Sequence, residues 1–185
     1  GQARIVGEEK PENGLPRIEA GVFPALVPRR YLLASVGGSY NAVRVEANAA
    51  GSLFFHGRGA GDLPTASAVL ADLMAVARDE RPNNPGFVAQ DLPAATVASP
   101  EESVSPYYVR VMVADTPGVL RDISGCMAAE GISMAQVIQK SDEGGGVPLV
   151  FMTHETSARA MRSALARVLD LGILKKSAVC FKVLQ

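Results

Sequence analysis

YYVRVMVADTPGVLRDISGCMAAEGISMAQVIQK, residues 107–140, decides the fold. Residues 107–115 are β-branched and aromatic with period-two character, which reads as a strand. They run into Thr116-Pro117-Gly118 and then into VLRDISGCMAAEG, where Val119, Leu120, Ile123 and Met127 recur at helical spacing. Pro117 suits the first helical position, with Asp115 or Thr116 as the cap, and Gly131 suits a left-handed helix end.

Working outward, ISMAQVIQK (132–140) and VPLVFMTHE (147–155) are strand-like runs separated by SDEGGG, so a hairpin is expected. Thr156 then caps a helix with a stripe of Met161, Leu165, Val168 and Leu169, closed by Gly172 and followed by the strand ILKKSAVCFKVL. The order β-α-β-β-α-β predicts a ferredoxin-like four-stranded sheet with both helices on one face. Apolar residues on the other face would need a second copy or another domain, and self-association is the simplest solution.

Upstream, the prolines at 82, 85, 93, 100 and 106 break any apolar rhythm, so residues 81–106 read as a linker. Residues 1–80 hold four strand-like runs, ARIVGEEK, LPRIEAGVFPALV, YNAVRVEAN and GSLFFHG, with turns at Glu12-Asn13-Gly14, Gly37-Gly38 and Asn48 to Gly51. TASAVLADLMAVARDE follows, with Ala66, Val69, Leu70, Leu73, Met74 and Ala77 on one helical face. The fold class is α+β: a partial sheet with one long helix (1–80), the linker, and the βαββαβ domain (107–185). One helix on a sheet leaves a face without a partner layer, so the first segment reads as part of something larger. The chain also starts at Gly1 instead of Met, consistent with processing, a tag scar or a longer parent.

Composition narrows the function. The chain has 185 residues, 48% hydrophobic and 20% charged, enough for a core without disulfide staples. Its charge of −1 divides as −1, −2 and +2 over the three segments, and tryptophan is absent, so nucleic-acid binding is disfavoured. No signal peptide or spanning run is visible, which points to a cytoplasmic protein with no membrane partner. Cys126 and Cys180 read as small core hydrophobes, and His56 and His154 have no metal spacing with them, so no metal is expected. Ser39 and Ser67 lack a nucleophile context, and Glu8-Glu9 and Glu101-Glu102 read as solvated faces.

Two features could carry chemistry. Gly57-Arg58-Gly59-Ala60-Gly61-Asp62-Leu63-Pro64-Thr65 leads from a strand into a helix N-terminus, where backbone amides could approach an anion. It is neither the dinucleotide fingerprint, since Asp62 and Pro64 fall where glycine is required, nor a P-loop. A ligand contact and a tight packed turn both remain open. The second is Asp115-Thr116-Pro117-Gly118-Val119-Leu120, which is either a plain helix cap or a cradle for the carboxylate of a small ligand, closed by a strand from another subunit.

The whole of 107–185 resembles an ACT domain, with DTPGVL as its first-loop signature, EGIS before the second strand and VIQK along it. VFPALVPRRYLLASVGGSYNAVRVEAN followed by GSLFFHGRGAGDLPTASAVLADL resembles the late catalytic domain of the homoserine dehydrogenase family, and the two together resemble its monofunctional bacterial form. The resemblance implies interconversion of L-homoserine and L-aspartate 4-semialdehyde with NAD or NADP, in threonine and methionine biosynthesis. It also implies that the nucleotide domain, the catalytic lysine and the substrate carboxylates lie upstream. On that reading the chain is an inactive C-terminal fragment with no catalytic residue of its own. Gly59, Ala60, Gly61 and Thr65 become cofactor contacts, and the helix from Thr65 loses its partner domain. The strand around Asn41 to Val45 becomes a dimer contact of a homo-oligomer, at least a dimer. For the ACT domain the resemblance implies feedback by an amino acid, with threonine as the leading ligand. The amides of Gly118, Val119 and Leu120 would take its carboxylate and Asp115 its ammonium group. The other functional reading is a stand-alone ACT-type binding or oligomerisation module.

Overall fold

The computed structural model describes residues 1–6, 16–78, 94–140 and 146–184. The Glu12-Asn13-Gly14 turn, the Glu8-Glu9 pair, linker residues 81–93 and most of the SDEGGG connection lie outside the described residues. In chain order the elements are β1 (Gln2–Ile5), β2 (Arg17–Gly21), β3 (Ala25–Leu26), a 3-10 turn (Leu32–Ser35), β4 (Tyr40–Ala47), β5 (Gly51–Arg58) and α1 (Asp62–Ala77). They continue with β6 (Thr96–Val97), a 3-10 turn (Pro100–Glu102), β7 (Val104–Ser105), β8 (Tyr107–Val113), α2 (Val119–Ala129) and β9 (Met134–Gln139). The remainder is β10 (Val147–Thr153), β11 (Thr156–Ser157), α3 (Ala158–Asp170) and β12 (Leu174–Val183). They fall into two compact units, Gly1–Leu26 with Pro93–Gln185, and Val27–Leu92. Residues 94–105, within the stretch read as a linker, therefore contribute short strands and a turn to the first unit.

The first unit is built on a five-stranded sheet of order β3-β12-β8-β10-β9. Its last four strands follow the ferredoxin-like order, all antiparallel to their neighbours, and β3 adds a short parallel edge beside β12. Alternation along β8 sends Tyr107, Val109, Val111 and Val113 to one face, where Leu149 and Phe151 of β10 join them. Ile123 and Met127 of α2 and Met161, Ala164 and Val168 of α3 close over that face. Both helices therefore lie on one side of the sheet, and each fully buried large side chain is worth about 1.5–3 kcal/mol. On the opposite face Tyr108, Met112, Val150, Met152 and Phe181 are half-buried, with the rings of Tyr108 and Phe181 stacked at 6.5 Å. A separate three-stranded sheet, β1-β2-β6, and a two-residue ladder, β7 with β11, complete this unit.

Among its described residues the second unit has no comparable core. β4 and β5 pair antiparallel from Tyr40↔Arg58 to Ala47↔Gly51. One face carries the His56 ring stacked on Tyr40 at 4.8 Å with the Arg58 guanidinium over Tyr40, while Val43 and Phe55 on the other are 59% and 58% exposed. α1 buries no residue, and Leu70, Leu73 and Met74 of its apolar face are all at least half exposed. Among the described residues of this unit, two paired strands and one helix do not enclose an interior, in keeping with the partner layer that the sequence lacks.

Several details differ from the sequence reading. α2 starts at Val119 after a left-handed Gly118 (φ 97°), so Pro117 precedes the helix and neither Asp115 nor Thr116 caps it by a side chain. Thr116 O instead accepts from Val119 N at 3.5 Å across Pro117-Gly118, a tight turn whose third residue requires positive φ. Leu120 is 43% exposed and stays out of the core. In α3 the cap is Ser157, whose hydroxyl accepts from Ala160 N at 3.1 Å, because the helix starts at Ala158, one residue later than a Thr156 cap requires. Ala164 is buried where Leu169 was expected, and Leu169 is 64% exposed. Gly131 and Gly172 do end their helices with positive φ. α1 begins at Asp62, three residues before Thr65, on the N-cap Gly61.

Candidate functional site

The end of the main sheet where β8 gives way to α2 gathers three segments. β8 stops at Val113, β10 starts opposite it at Val147, and the register Leu149↔Gln139 brings the last residue of β9 alongside. The loop Ala114–Gly118 borders this end, forming an open-sided cavity of about 440 Å³ lined by Asp115, Pro117, Gly118, Leu120, Gln139 and Leu149 among others. That size falls in the range of small-molecule sites, about 300–1,000 Å³.

The loop's chemistry suits a zwitterion. The amides of Gly118, Leu120 and Arg121 have no acceptor among the described residues, as the first turn of a helix leaves them, whereas Val119 donates to Thr116 O. Free first-turn donors and the helix dipole favour a carboxylate. Asp115 is exposed on the same lining and offers the opposite charge. Gln139 adds an amide able to donate and accept, and Leu149 an apolar floor. All four sequence-selected residues, Asp115, Gly118, Val119 and Leu120, thus line one cavity. Gln139 and Leu149 escaped the sequence reading, since only the hairpin register aligns them with the loop. Gly146 backs this end, and its conformation is demanding: φ is 115°, and a Cβ there would meet Val113 O at 2.8 Å.

The glycine turn has a different character. Gly59, Ala60, Gly61 and Thr65 are brought together and are all exposed. Gly59 N donates to Ser39 O at 3.2 Å, and a Cβ on Gly59 would have to displace the exposed Asn41 side chain. Gly61 serves the positive φ of 121° at the start of α1, where Thr65 N donates back to Gly61 O at 3.1 Å. Pro64 removes one first-turn donor and Asp62 adds a negative charge, both of which weaken an anion site at this end.

Cys126 and Cys180 are free thiols packed against the core, and burial pushes Cys180 up to about 11. Burial, with the nearby Cys180 and Glu19, likewise pushes the Tyr107 phenol up to about 12, and its hydroxyl is buried without a hydrogen-bond partner among the described residues.

Comparison with known proteins then separates the two segments. The homoserine dehydrogenase family model matches residues 1–74, and the ACT domain model matches residues 107–172. The first segment belongs to the homoserine dehydrogenase family and the second is an ACT domain. Homoserine dehydrogenase of Mycobacterium tuberculosis is 40% identical over 169 residues, covering 89% of this chain and 38% of its own length. That of Neisseria gonorrhoeae is 38% identical over 166 residues, covering 86% of this chain and again 38% of the relative. The crystal structure of a homoserine dehydrogenase from Thiobacillus denitrificans superposes with a TM-score of 0.76 at 32% identity, over 95% of this chain and 40% of that one. The chain thus spans about two-fifths of the length of the relatives it matches. Among the described residues no helix is long and apolar enough to cross a membrane.

Proposed function

We propose that this chain is the C-terminal part of a homoserine dehydrogenase, the end of its catalytic domain followed by a regulatory ACT domain, and that the ACT domain binds an amino-acid effector, L-threonine, in the cavity beside Gly118. The observation that carries this reading is the coincidence, at one end of a complete ACT sheet, of unpaired helix N-terminal amides, the Asp115 carboxylate and the Gln139 amide. The effector's carboxylate sits on the amides of Gly118, Leu120 and Arg121, its ammonium group on Asp115, and its hydroxyl within reach of Gln139. The outer edge of β9 is free among the described strands, so a second subunit can add its own strand there and close the cavity. On this reading the protein is a homo-oligomer, at least a dimer.

The complete enzyme is read as the cytoplasmic oxidoreductase that interconverts L-homoserine and L-aspartate 4-semialdehyde with NAD or NADP. In it Gly59, Ala60, Gly61 and Thr65 face the cofactor, whose redox chemistry they border without performing. The domain limits 1–80, 81–106 and 107–185 are kept as the modular boundaries of that enzyme. Alone, the chain is proposed to be inactive. The self-contained core of the first unit also supports a stand-alone amino-acid-binding module; turnover by the purified chain would overturn its inactivity, and absence of binding to any pathway amino acid would weaken the module reading.

Calorimetric titration of the chain with L-threonine, with L-homoserine, L-methionine and L-isoleucine as controls, tests the site. Selective threonine binding that is lost in Gly118→Asp is expected. Equal affinity for all four, or binding unchanged in Gly118→Asp, overturns the assignment.

A further inference from the structure

At the opposite end of β8 from the effector cavity lies a buried ionic cluster that neither the sequence reading nor the family assignment addresses. Glu19 of β2 is 9% exposed, and its carboxylate accepts from Arg4 Nε at 2.9 Å and from the Ser103 hydroxyl. Lys182 of β12 stands 3.7 Å from the same carboxylate, donates to Ser103 Oγ, and lies 4.4 Å over the ring of Phe23. Arg4 also donates to Val104 O at 2.8 Å, and Leu184 N to Leu26 O at 2.9 Å. Burial alone would raise the Glu19 carboxyl, but the hydrogen bonds from Ser103 and Arg4 and the charges of Arg4 and Lys182 hold it below the ordinary range.

The membership of the cluster is informative. Arg4 and Glu19 lie in the segment matched to homoserine dehydrogenase, whereas Lys182 is on the last strand of the ACT sheet and Ser103 lies between the two matched segments. β12 pairs with β8 along its length, Leu174 opposite Val113 at the effector end and Lys182 opposite Tyr107 at the cluster end. The seven residues of β8 span roughly 20 Å at about 3.3 Å each. A buried carboxylate with three partners tolerates loss of any one poorly, so it responds to displacement of β12 against β2.

We propose that the Glu19–Arg4–Ser103–Lys182 cluster is the joint that couples the ACT effector loop to the homoserine dehydrogenase segment, transmitting displacement of β8 and β12 to β2. Its effector arm rests on the amino-acid-binding reading above; its mechanical arm does not. Contiguity between two sites is not itself coupling, so the test perturbs one end and reads the other.

Hydrogen exchange is measured on the 185-residue chain, its Glu19→Gln variant and the milder Ser103→Ala, with circular dichroism confirming the fold. Without ligand, Glu19→Gln is expected to speed exchange at Thr116, Val119 and Asp122 by about fivefold or more, the low end of allosteric coupling, and Ser103→Ala to act in the same direction. With saturating L-threonine, the unmodified chain should also slow at Arg17–Gly21, and the variants should slow only in the effector loop. Changes confined to Gln2–Ile5, Arg17–Gly21 and residues 103–106 in both variants overturn the joint. If Glu19→Gln unfolds, Ser103→Ala decides by the same criterion. If threonine protects nothing, the effector reading fails, while the ligand-free comparison still decides the joint.

Discussion

α3 and α1 are helices of similar length with opposite fates. α3, with 13 residues, buries Met161, Ala164 and Val168 against a five-stranded sheet; α1, with 16, buries none. Both sequences place apolar residues at helical spacing, but α3 confines them to one stripe whereas in α1 they run nearly all round the helix, with only Asp62, Thr65, Ser67 and Asp72 polar. Such residues record that a helix is meant to pack, and only the presence of a partner layer turns them into a core.

Substitutions break that comparison at its strongest point first. Phe151→Ala removes a ring that is 1% exposed beneath both helices, and should cost about 3–5 kcal/mol in urea unfolding followed by circular dichroism. Gly146→Ala combines positive φ with a Cβ 2.8 Å from Val113 O, and should cost about 1–3 kcal/mol in the same assay. Ser157→Ala removes the α3 cap and should cost about 1 kcal/mol. Leu73→Ala on α1, where the side chain is 59% exposed, should change stability by no more than about 0.5 kcal/mol. A large loss there would mean that α1 has a partner layer in solution and that the contrast between the units is false.

Titration sharpens the same contrast, because the strongly shifted groups belong to the first unit. Tyr107 and Cys180 resist ionisation in the folded chain, at about 12 and about 11 against ordinary values of 10.0 and 9.0. For acids raised on folding, the stabilisation is complete below the unfolded value and is lost as pH rises through the folded one. The melting temperature should therefore fall from about pH 9 upward. Cys180→Ala should remove part of that fall. Glu19 has the opposite sign: its pKa is lowered by folding from 4.5, so its contribution is present above that pH and fades as acid protonates it. A flat melting temperature across alkaline pH would show that the Tyr107 and Cys180 sites are more hydrated than their burial implies.

Much of the ACT segment was legible in its sequence because local and global preferences agree there. The alternation in YYVRVMV, the helix-ending glycines at 131 and 172, and the paired stripes of two helices all point to one arrangement. What escaped was decided by competition between neighbours. Pro117 and Gly118 were read as helix start, yet the turn through Thr116 takes both and moves the helix to Val119. Thr156 reads as a cap, but the helix starts one residue later, at Ala158, which puts Ser157 at the N-cap although both residues pair in β11. The candidate site divides the same way. Asp115, Gly118, Val119 and Leu120 fall within one six-residue stretch and could be found there, whereas Gln139 and Leu149 depend on strand register.

The glycine turn before α1 shows the converse. Its composition invited a ligand, and the structure supplies a local reason for one of its glycines, the positive φ of Gly61.

By itself, then, the sequence determined the element order, the helix-ending glycines and the family resemblance, because these rest on periodicity and on backbone conformations that few residues can adopt. Tertiary structure alone decided that Gln139 joins the effector loop, and that Glu19 meets Lys182 from 163 positions away in the chain. It also decided that the ends of the chain, not its first eighty residues, share a unit with the ACT sheet. Such contacts follow from which strands pair and in what register, and a buried carboxylate with its cations leaves no periodic trace in the chain that folds around it.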